Sequence, residues 1–166
     1  MRLALTDLFR ARWSNDIHRE WMEAVVRKKP HLQGKLEKTR SLMDKHVRDC
    51  LVTGYESLIS GLKLPDPDDR HVLAAAIRTQ AELIITRNHR DFPAHVLEPY
   101  GIKTLGPDDF IMDLLDLNRK IVLTTMKGHQ EILINPKLTP EEYCQYLNRQ
   151  ALEKTESFVR SAWGIT

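Results

Sequence analysis

Apolar side chains recur along this chain either at helical spacing or in short uninterrupted runs. Ile17, Trp21 and Val25 lie on one face at helical spacing, which predicts a helix that Ser14 caps and Pro30 ends. Further helices are predicted over residues 32–47, 66–80, 92–100 and 107–117. Strands are predicted at residues 10–13, 51–55, 83–86 and 102–105.

The order of these elements predicts the fold class. Strands and helices alternate up to residue 117, and the run Leu83-Ile84-Ile85 has no polar interruption, as is typical of a parallel strand buried on both faces. We therefore predict an α/β domain with a mainly parallel sheet over residues 1–117. Residues 118–166 have only helical patterns, interrupted by Pro136, and predict a helical extension for self-association or partner binding.

Composition narrows the class of protein. With 166 residues, 42% of them apolar, and a net charge of +2, the chain can form one compact domain with an appendage. Cys50 and Cys144 fit no metal-binding spacing, and unbridged cysteines suit a reducing cytoplasm. No apolar run approaches the roughly 20 residues that cross a membrane, and we expect no membrane association.

Acidic side chains occur at two places that the predicted topology brings to one edge of the sheet. Asp66 and Asp69 begin the helix that follows the second predicted strand. Asn88 and Asp91 follow the third predicted strand. Ligands of open α/β sheets bind at the carboxyl ends of the strands, so we expect these residues to lie together. Glu20, early in the first helix, is expected to reach the same edge.

Such a cluster suggests a particular chemistry. Clustered carboxylates repel one another, and a hard divalent cation relieves that repulsion. Mg²⁺, or Mn²⁺ in its place, prefers oxygen ligands and can activate water for in-line attack on a phosphodiester. Arg87, His89 and Arg90 lie beside the edge in sequence and are expected to attract a phosphate backbone.

Each of these residues also has an ordinary structural explanation. An N-cap explains Asp66 fully, and Asn88 and Asp91 are common turn formers. For Glu20, a solvated helix position competes evenly with a ligand role. Asp69 precedes the close-packed alanine face, which favours its functional interpretation. The seven histidines lack the spacing of a zinc site and are expected to be surface or capping groups.

Three segments carry a family resemblance. The stretches DPDDRHVLAAAI, AELIITRNHRDFP and SNDIHREW resemble the PIN-domain family, especially the VapC-type toxins of bacterial toxin–antitoxin pairs. The resemblance covers most of residues 10–117 and implies a PIN-like three-layer fold, with helices flanking the sheet. It also implies a Mg²⁺-dependent endoribonuclease that cleaves RNA, forms a homodimer and is inhibited by a protein antitoxin.

The same resemblance implies site residues. By motif match, Glu20, Asp69 and Asp91 are similar to the catalytic and metal-binding carboxylates of the family. Asp66 and Asn88 are then possible additional polar residues of the site. For Arg87, His89 and Arg90, which follow the third predicted strand, the resemblance implies that the expected phosphate contacts are contacts with RNA.

The start of the chain differs from the family pattern. PIN domains usually begin with a short apolar strand that carries an aspartate, whereas MRLALTDLF is similar to the helix that follows that strand. We therefore expect either that the start is truncated or wrongly chosen, or that this is a reduced PIN relative that lacks the strand and its carboxylate. The expectation favours an alternative function, a catalytically impaired PIN-like module that binds RNA or an antitoxin. A phosphatase with an aspartyl nucleophile is disfavoured, since LKLP before Asp66 is no apolar strand.

Overall fold

A computed structural model describes residues 2–133 and 137–165 of the chain. The α-helices are α1 (Asn15–Lys28), α2 (Glu37–His46), α3 (Glu56–Ile59), α4 (Arg70–Arg78), α5 (Ala94–Leu97), α6 (Pro107–Ile132), α7 (Pro140–Arg149) and α8 (Glu153–Ala162). The strands β1 (Leu83–Ile85) and β2 (Lys103–Leu105) pair in a short parallel sheet. The predicted α/β class with a helical C-terminal region is confirmed, while the predicted interruption at Pro136 lies outside the described residues.

Short 3-10 turns connect several of these elements. They lie at Arg2–Leu5, Pro30–Leu32, Pro67–Asp69, His89–Asp91 and Glu98–Tyr100. No helix within the described ranges is both long and apolar enough to span a bilayer.

The chain contacts divide the protein into two compact units. The sheet unit is Arg10–Thr104, and the helical unit combines Arg2–Phe9 with the described residues from Leu105 onward. The predicted division between residues 117 and 118 stays a prediction. It coincides with a break inside α6, where Asn118 has non-helical angles of φ −155° and ψ 83°.

The core of the sheet unit forms where α4 packs on β1. Ala74 and Ala75 are buried, and their small side chains let the helix backbone approach Ile84 of the strand closely. Leu83 and Ile85 point to the other face and are each 39% exposed. The expectation that this strand is buried on both faces is therefore wrong, because side chains alternate along a strand and only the Ile84 side is covered.

Two predicted strands reduce to a single parallel bridge. Trp13 pairs with Leu51; the Trp13 amide donates to the Cys50 carbonyl at 2.9 Å, and the Val52 amide donates to the Trp13 carbonyl at 2.8 Å. The strands predicted at 10–13 and 51–55 are therefore wrong in length. In the segment predicted as a strand over 51–55, extended pairing ends early because Gly54 adopts a left-handed conformation with φ +72°.

Helix ends follow the local turn chemistry. The predicted first helix is confirmed, with the Ser14 side chain accepting from the Ile17 amide at the N-cap. The helix predicted from residue 32 begins only at Glu37, because Pro30–Leu32 forms a 3-10 turn and Gly34 takes a φ of +72°. The first turn of the helix predicted from residue 66 is likewise a 3-10 turn, which precedes α4.

The helical unit has a core of its own. Side chains of α6, α7 and α8 surround buried Tyr143 and Val159, and Phe9 packs edge-on against Phe110 with ring centroids 4.8 Å apart. The capping box predicted at Thr139 is confirmed, with Glu142 as the reciprocal partner.

Candidate metal centre

Three carboxylates converge in the sheet unit. Asp66, Asp69 and Asp91 each offer a ligand oxygen, and these oxygens lie within 4.8 Å of one another. We call these three residues the acidic triad. Asp66 and Asp69 come from the 3-10 turn before α4, and Asp91 comes from the turn after β1. The structure thus brings together the two segments that the strand order placed at one edge; the roles of these residues stay predictions.

Local hydrogen bonds fix the outer members of the triad. Asp66 is the N-cap of its turn, where Oδ1 accepts from the Asp68 amide at 2.9 Å. A carboxylate has about four acceptor sites, so the cap leaves Asp66 able to bind a cation as well. Asn88 donates from Nδ2 to Oδ2 of Asp91, and its own amide donates to Thr86 Oγ1 at 3.0 Å. Asn88 therefore orients a carboxylate of the triad.

Glu20 lies outside the triad and has a different partner. Its Oε1 accepts a hydrogen bond from His71 Nε2 at 2.7 Å, and its side chain is 44% exposed. The negative charge of Glu20 nevertheless acts on Asp69, so it is within electrostatic range of the triad. Of the three carboxylates predicted to bind the ion, Asp69 and Asp91 are grouped here and Glu20 borders the group.

The electrostatics of Asp69 suit a cation. Burial raises the pKa of Asp69 above its ordinary value, and the negative charges of Asp66, Asp91 and Glu20 raise it further. The nearby His71 ring opposes this shift of the pKa. A carboxylate whose ionised form is disfavoured by its acidic neighbours gains most from a divalent cation placed between them. The donor set, made entirely of carboxylate oxygens, fits Mg²⁺ or Mn²⁺.

Another carboxylate anchors the helix that carries Glu20. Asp16 Oδ2 accepts from the hydroxyl of buried Tyr55 at 2.6 Å, and Arg19 lies 2.8 Å from Oδ1. The hydrogen bond from Tyr55 holds the pKa of Asp16 below its ordinary value. Because Asp16 and Glu20 are four residues apart on α1, this anchor also fixes the face from which Glu20 projects.

Basic side chains follow β1 directly. Arg87, His89 and Arg90 are exposed, and Arg90 immediately precedes Asp91 of the triad. His89 Nδ1 lies 3.0 Å from Thr104 Oγ1, which holds its ring against the end of β2. Their position beside the triad along the chain agrees with the expected phosphate contacts, and RNA binding by them stays a prediction.

Two histidines contradict the expectation of surface positions. His18 is fully buried and His71 is only 6% exposed. The signal for His71 was present in the sequence: it stands three and four residues before Ala74 and Ala75, on the buried face of α4. His18 similarly stands three residues before Trp21, on the face predicted to be buried.

Comparisons with known proteins identify the family of this chain. A model described as "PIN domain" matches residues 1–90, and one described as "VapC50 C-terminal domain" matches residues 107–161. "Putative ribonuclease VapC50" of Mycobacterium tuberculosis (strain ATCC 25618 / H37Rv) is 42% identical over 97 residues, which are 58% of this chain and 57% of that protein. No solved structure matches significantly. The PIN model covers 90 of the 166 residues, so the resemblance is confirmed and the chain belongs to the PIN domain family.

Proposed function

We propose that this protein is a divalent-metal-dependent endoribonuclease and the toxin of a toxin–antitoxin pair. The observation that carries the proposal is the convergence of three carboxylates within 4.8 Å in a chain of the PIN family. The match to a relative named as a ribonuclease supports the same reaction class. RNA is therefore the proposed substrate, and Mg²⁺ the proposed ion, with Mn²⁺ able to replace it.

The residues of the site have distinct roles in this proposal. Asp66, Asp69 and Asp91 hold the ion, and Glu20 completes its surroundings from α1. When bound, the ion lowers the pKa of water and neutralises charge on the phosphate during in-line attack. The carboxylates would fix the position of that ion, and Asn88, which donates to Asp91 Oδ2, would keep that carboxylate oriented.

The basic residues after β1 are proposed to hold the RNA. Arg87, His89 and Arg90 are exposed and lie close to Asp91 along the chain, and arginine can contact two phosphate oxygens at once. Contacts of this kind set the position of the backbone without reading its sequence. They would place a phosphodiester beside the triad.

Partners and location are also proposals. The toxin assignment implies that the protein forms a homodimer and binds a protein antitoxin. Light scattering of the isolated protein would test dimer formation, and co-purification would test antitoxin binding. Cys50 and Cys144 are both buried and unpaired, which suits the proposed cytoplasmic location.

Removal of the metal is expected to abolish RNA cleavage. The purified protein should cut a single-stranded RNA in Mg²⁺ or Mn²⁺, stop in excess EDTA and recover when Mg²⁺ is restored. The reason is that the carboxylates alone cannot neutralise the charge that develops on the phosphate. Gel analysis of end-labelled RNA gives both the rate and the cut positions.

Two results would contradict the proposal. Cleavage by this protein that continues unchanged in EDTA would show that the reaction needs no divalent ion. Binding of RNA and Mn²⁺ without any cleavage would instead support the alternative, a catalytically impaired RNA- or antitoxin-binding module. A denatured and refolded sample serves as the control for co-purified nucleases.

Replacing Arg90 by glutamine is expected to weaken the binding of RNAs of different sequence to a similar degree. Loss of one phosphate contact should lower the slope of log affinity against log salt by about 0.7 for single-stranded RNA. Fluorescence anisotropy at several salt concentrations measures that slope. Arg48→Gln, at an exposed arginine beyond α2, is the matched control. Equal slopes for the two variants would remove Arg90 from the RNA surface.

A further inference from the structure

The His71 ring is buried, and only one of its two nitrogens has a partner. Its side chain is 8% exposed, and Nε2 lies 2.7 Å from Glu20 Oε1. Nδ1 is buried and has no hydrogen-bond partner among the described residues. An ionised carboxylate only accepts hydrogen bonds, so Nε2 carries the hydrogen that it donates to Glu20.

A second buried histidine of the sheet unit provides a contrast. His18 uses both ring nitrogens: Nε2 lies 2.8 Å from Asp44 Oδ1, and Nδ1 accepts from Trp21 Nε1 at 2.8 Å. That arrangement offsets the cost of burying a polar ring. His71 leaves part of that cost uncompensated, since an unpaired buried polar atom costs about 1–3 kcal/mol. Stability alone therefore does not explain a histidine at position 71.

The place of His71 in the fold suggests what it does instead. It stands in the first turn of α4, two residues after Asp69 of the triad, so both side chains share one rigid frame. Its partner Glu20 comes from α1 and is 44% exposed, which would leave that carboxylate free to rotate. The hydrogen bond removes this freedom by tying Oε1 of Glu20 to the frame that carries Asp69.

We propose that His71 is a positioning residue, which holds Glu20 so that its second oxygen faces an ion bound by the acidic triad. The inference rests on the proposed metal-dependent function, because it assigns a role at the same site. Carboxylates that bind metals are themselves commonly oriented by a hydrogen-bonded partner outside the coordination sphere. His71 acts through Glu20 and touches neither the ion nor the RNA.

Calorimetric titration of the metal-free protein with Mn²⁺ tests the proposal directly. Removing the donor in His71→Leu should weaken Mn²⁺ binding about 10- to 100-fold. His71→Gln, whose Nε2 can take the place of the ring nitrogen, should bind almost as tightly as the unsubstituted protein. His18→Gln is the matched control: it alters the other buried histidine and should lower the melting temperature while leaving Mn²⁺ affinity unchanged.

A double-mutant cycle separates positioning from other roles. Because His71 acts through Glu20, adding His71→Leu to Glu20→Gln should weaken Mn²⁺ binding no further. A full additional loss in the double variant would overturn the proposal. So would unchanged affinity in His71→Leu, provided that Asp69→Asn binds Mn²⁺ more weakly than the unsubstituted protein. If the unsubstituted protein binds no Mn²⁺, the proposed function itself fails, and the role of His71 fails with it.

Nuclear magnetic resonance of the unsubstituted protein tests the same idea without any variant, in case His71→Leu does not fold. The ring nitrogens of His71 should report hydrogen on Nε2, and their resonances should shift when Mg²⁺ is added, because Glu20 is drawn toward the ion. The His18 resonances should not move. Unchanged His71 resonances at saturating Mg²⁺ would overturn the proposal.

Discussion

Asp69→Asn should reduce RNA cleavage by about 100-fold or more and yet make the metal-free protein more stable at neutral pH. The loss of rate follows from weaker ion binding and poorer placement of water, since about 1.4 kcal/mol of transition-state stabilisation is already tenfold in rate. The gain in stability follows from the electrostatics of the triad. A side chain that lowers the stability of the protein when no ligand is bound is expected at a binding site. It is unusual for a residue whose role is structural.

The pH dependence of stability gives this prediction its sign. Burial and then the charges of Asp66, Asp91 and Glu20 raise the pKa of Asp69 above the ordinary 3.8. The folded protein therefore keeps this proton to a higher pH than the unfolded chain. Between the two pKa values the free energy of unfolding falls as the pH rises, and above the folded-state pKa the full penalty remains. Asparagine carries no charge, so Asp69→Asn avoids this penalty to the stability of the folded protein.

Melting curves in EDTA across a series of pH values measure the effect. Asp69→Asn should melt above the unsubstituted protein at neutral pH, and the difference should shrink as the pH falls toward 3.8, the ordinary value for this side chain. Asp116→Asn, at an exposed aspartate of α6, is the charge-matched control and should change little. A lower melting temperature for Asp69→Asn at every pH would mean that the carboxylate stabilises the metal-free fold, against the prediction.

Addition of Mg²⁺ should reverse the order of stability. An ion that binds only the folded state stabilises it by mass action, by about 2.7 kcal/mol at 100 times the dissociation constant. The unsubstituted protein should gain this stabilisation, and Asp69→Asn should gain much less of it. Equal gains for the two proteins would remove Asp69 from the ligand set.

The meeting of the acidic segments was predictable because strand order alone determines it. Asp69 and Asp91 each follow a predicted strand, and the carboxyl ends of parallel strands share one edge whatever the lengths of the strands. The predicted strand before Asp69 shortened to the Trp13–Leu51 bridge, whereas the strand before Asp91 is present as β1, and the two acidic segments still meet. The predicted meeting of these segments depends only on the direction in which the chain runs through the strands, and the alternation of strands and helices determines that direction.

The partner of Glu20 was beyond this argument. Whether its carboxylate joins the triad or bonds to His71 depends on how closely α1 approaches α4 and on side-chain rotamers, and neither follows from spacing along the chain. The burial of His71 was readable from its place on the alanine face of α4. Histidine is often exposed, however, and only a partner in space distinguishes a buried, bonded ring from a surface one.

A second network in the sheet unit supports its stability, and Asp44→Ala is expected to disrupt it. Asp44 Oδ1 lies 2.8 Å from Trp13 Nε1 and 2.8 Å from His18 Nε2, so one oxygen accepts from both rings. Trp21 donates to the other nitrogen of His18. An indole nitrogen can only donate, which requires that His18 Nδ1 accept and that its Nε2 carry the hydrogen bonded to Asp44. The network joins α1, α2 and the segment before α1.

Asp44→Ala should lower the free energy of unfolding by about 2–6 kcal/mol, because it leaves two largely buried donors, on Trp13 and His18, without an acceptor at about 1–3 kcal/mol each. Burial of Asp44 opposes ionisation, yet the hydrogen bonds from Trp13 and His18 hold its pKa below the ordinary value. Its contribution is therefore present above the unfolded-state pKa and lost as the pH falls through the folded-state value.

Urea unfolding followed by tryptophan fluorescence should show this loss at neutral pH, with a smaller difference between the two proteins in acid. Asp44→Asn keeps an acceptor oxygen and should lose less than the alanine variant. Glu37→Ala removes an exposed carboxylate from the same helix and should cost less than about 1 kcal/mol. If Asp44→Ala and Glu37→Ala unfold at the same urea concentration, this network does not support the fold. The hydrogen bond to Asp44 would then not offset the free-energy cost of burying the His18 ring, and another interaction would have to do so.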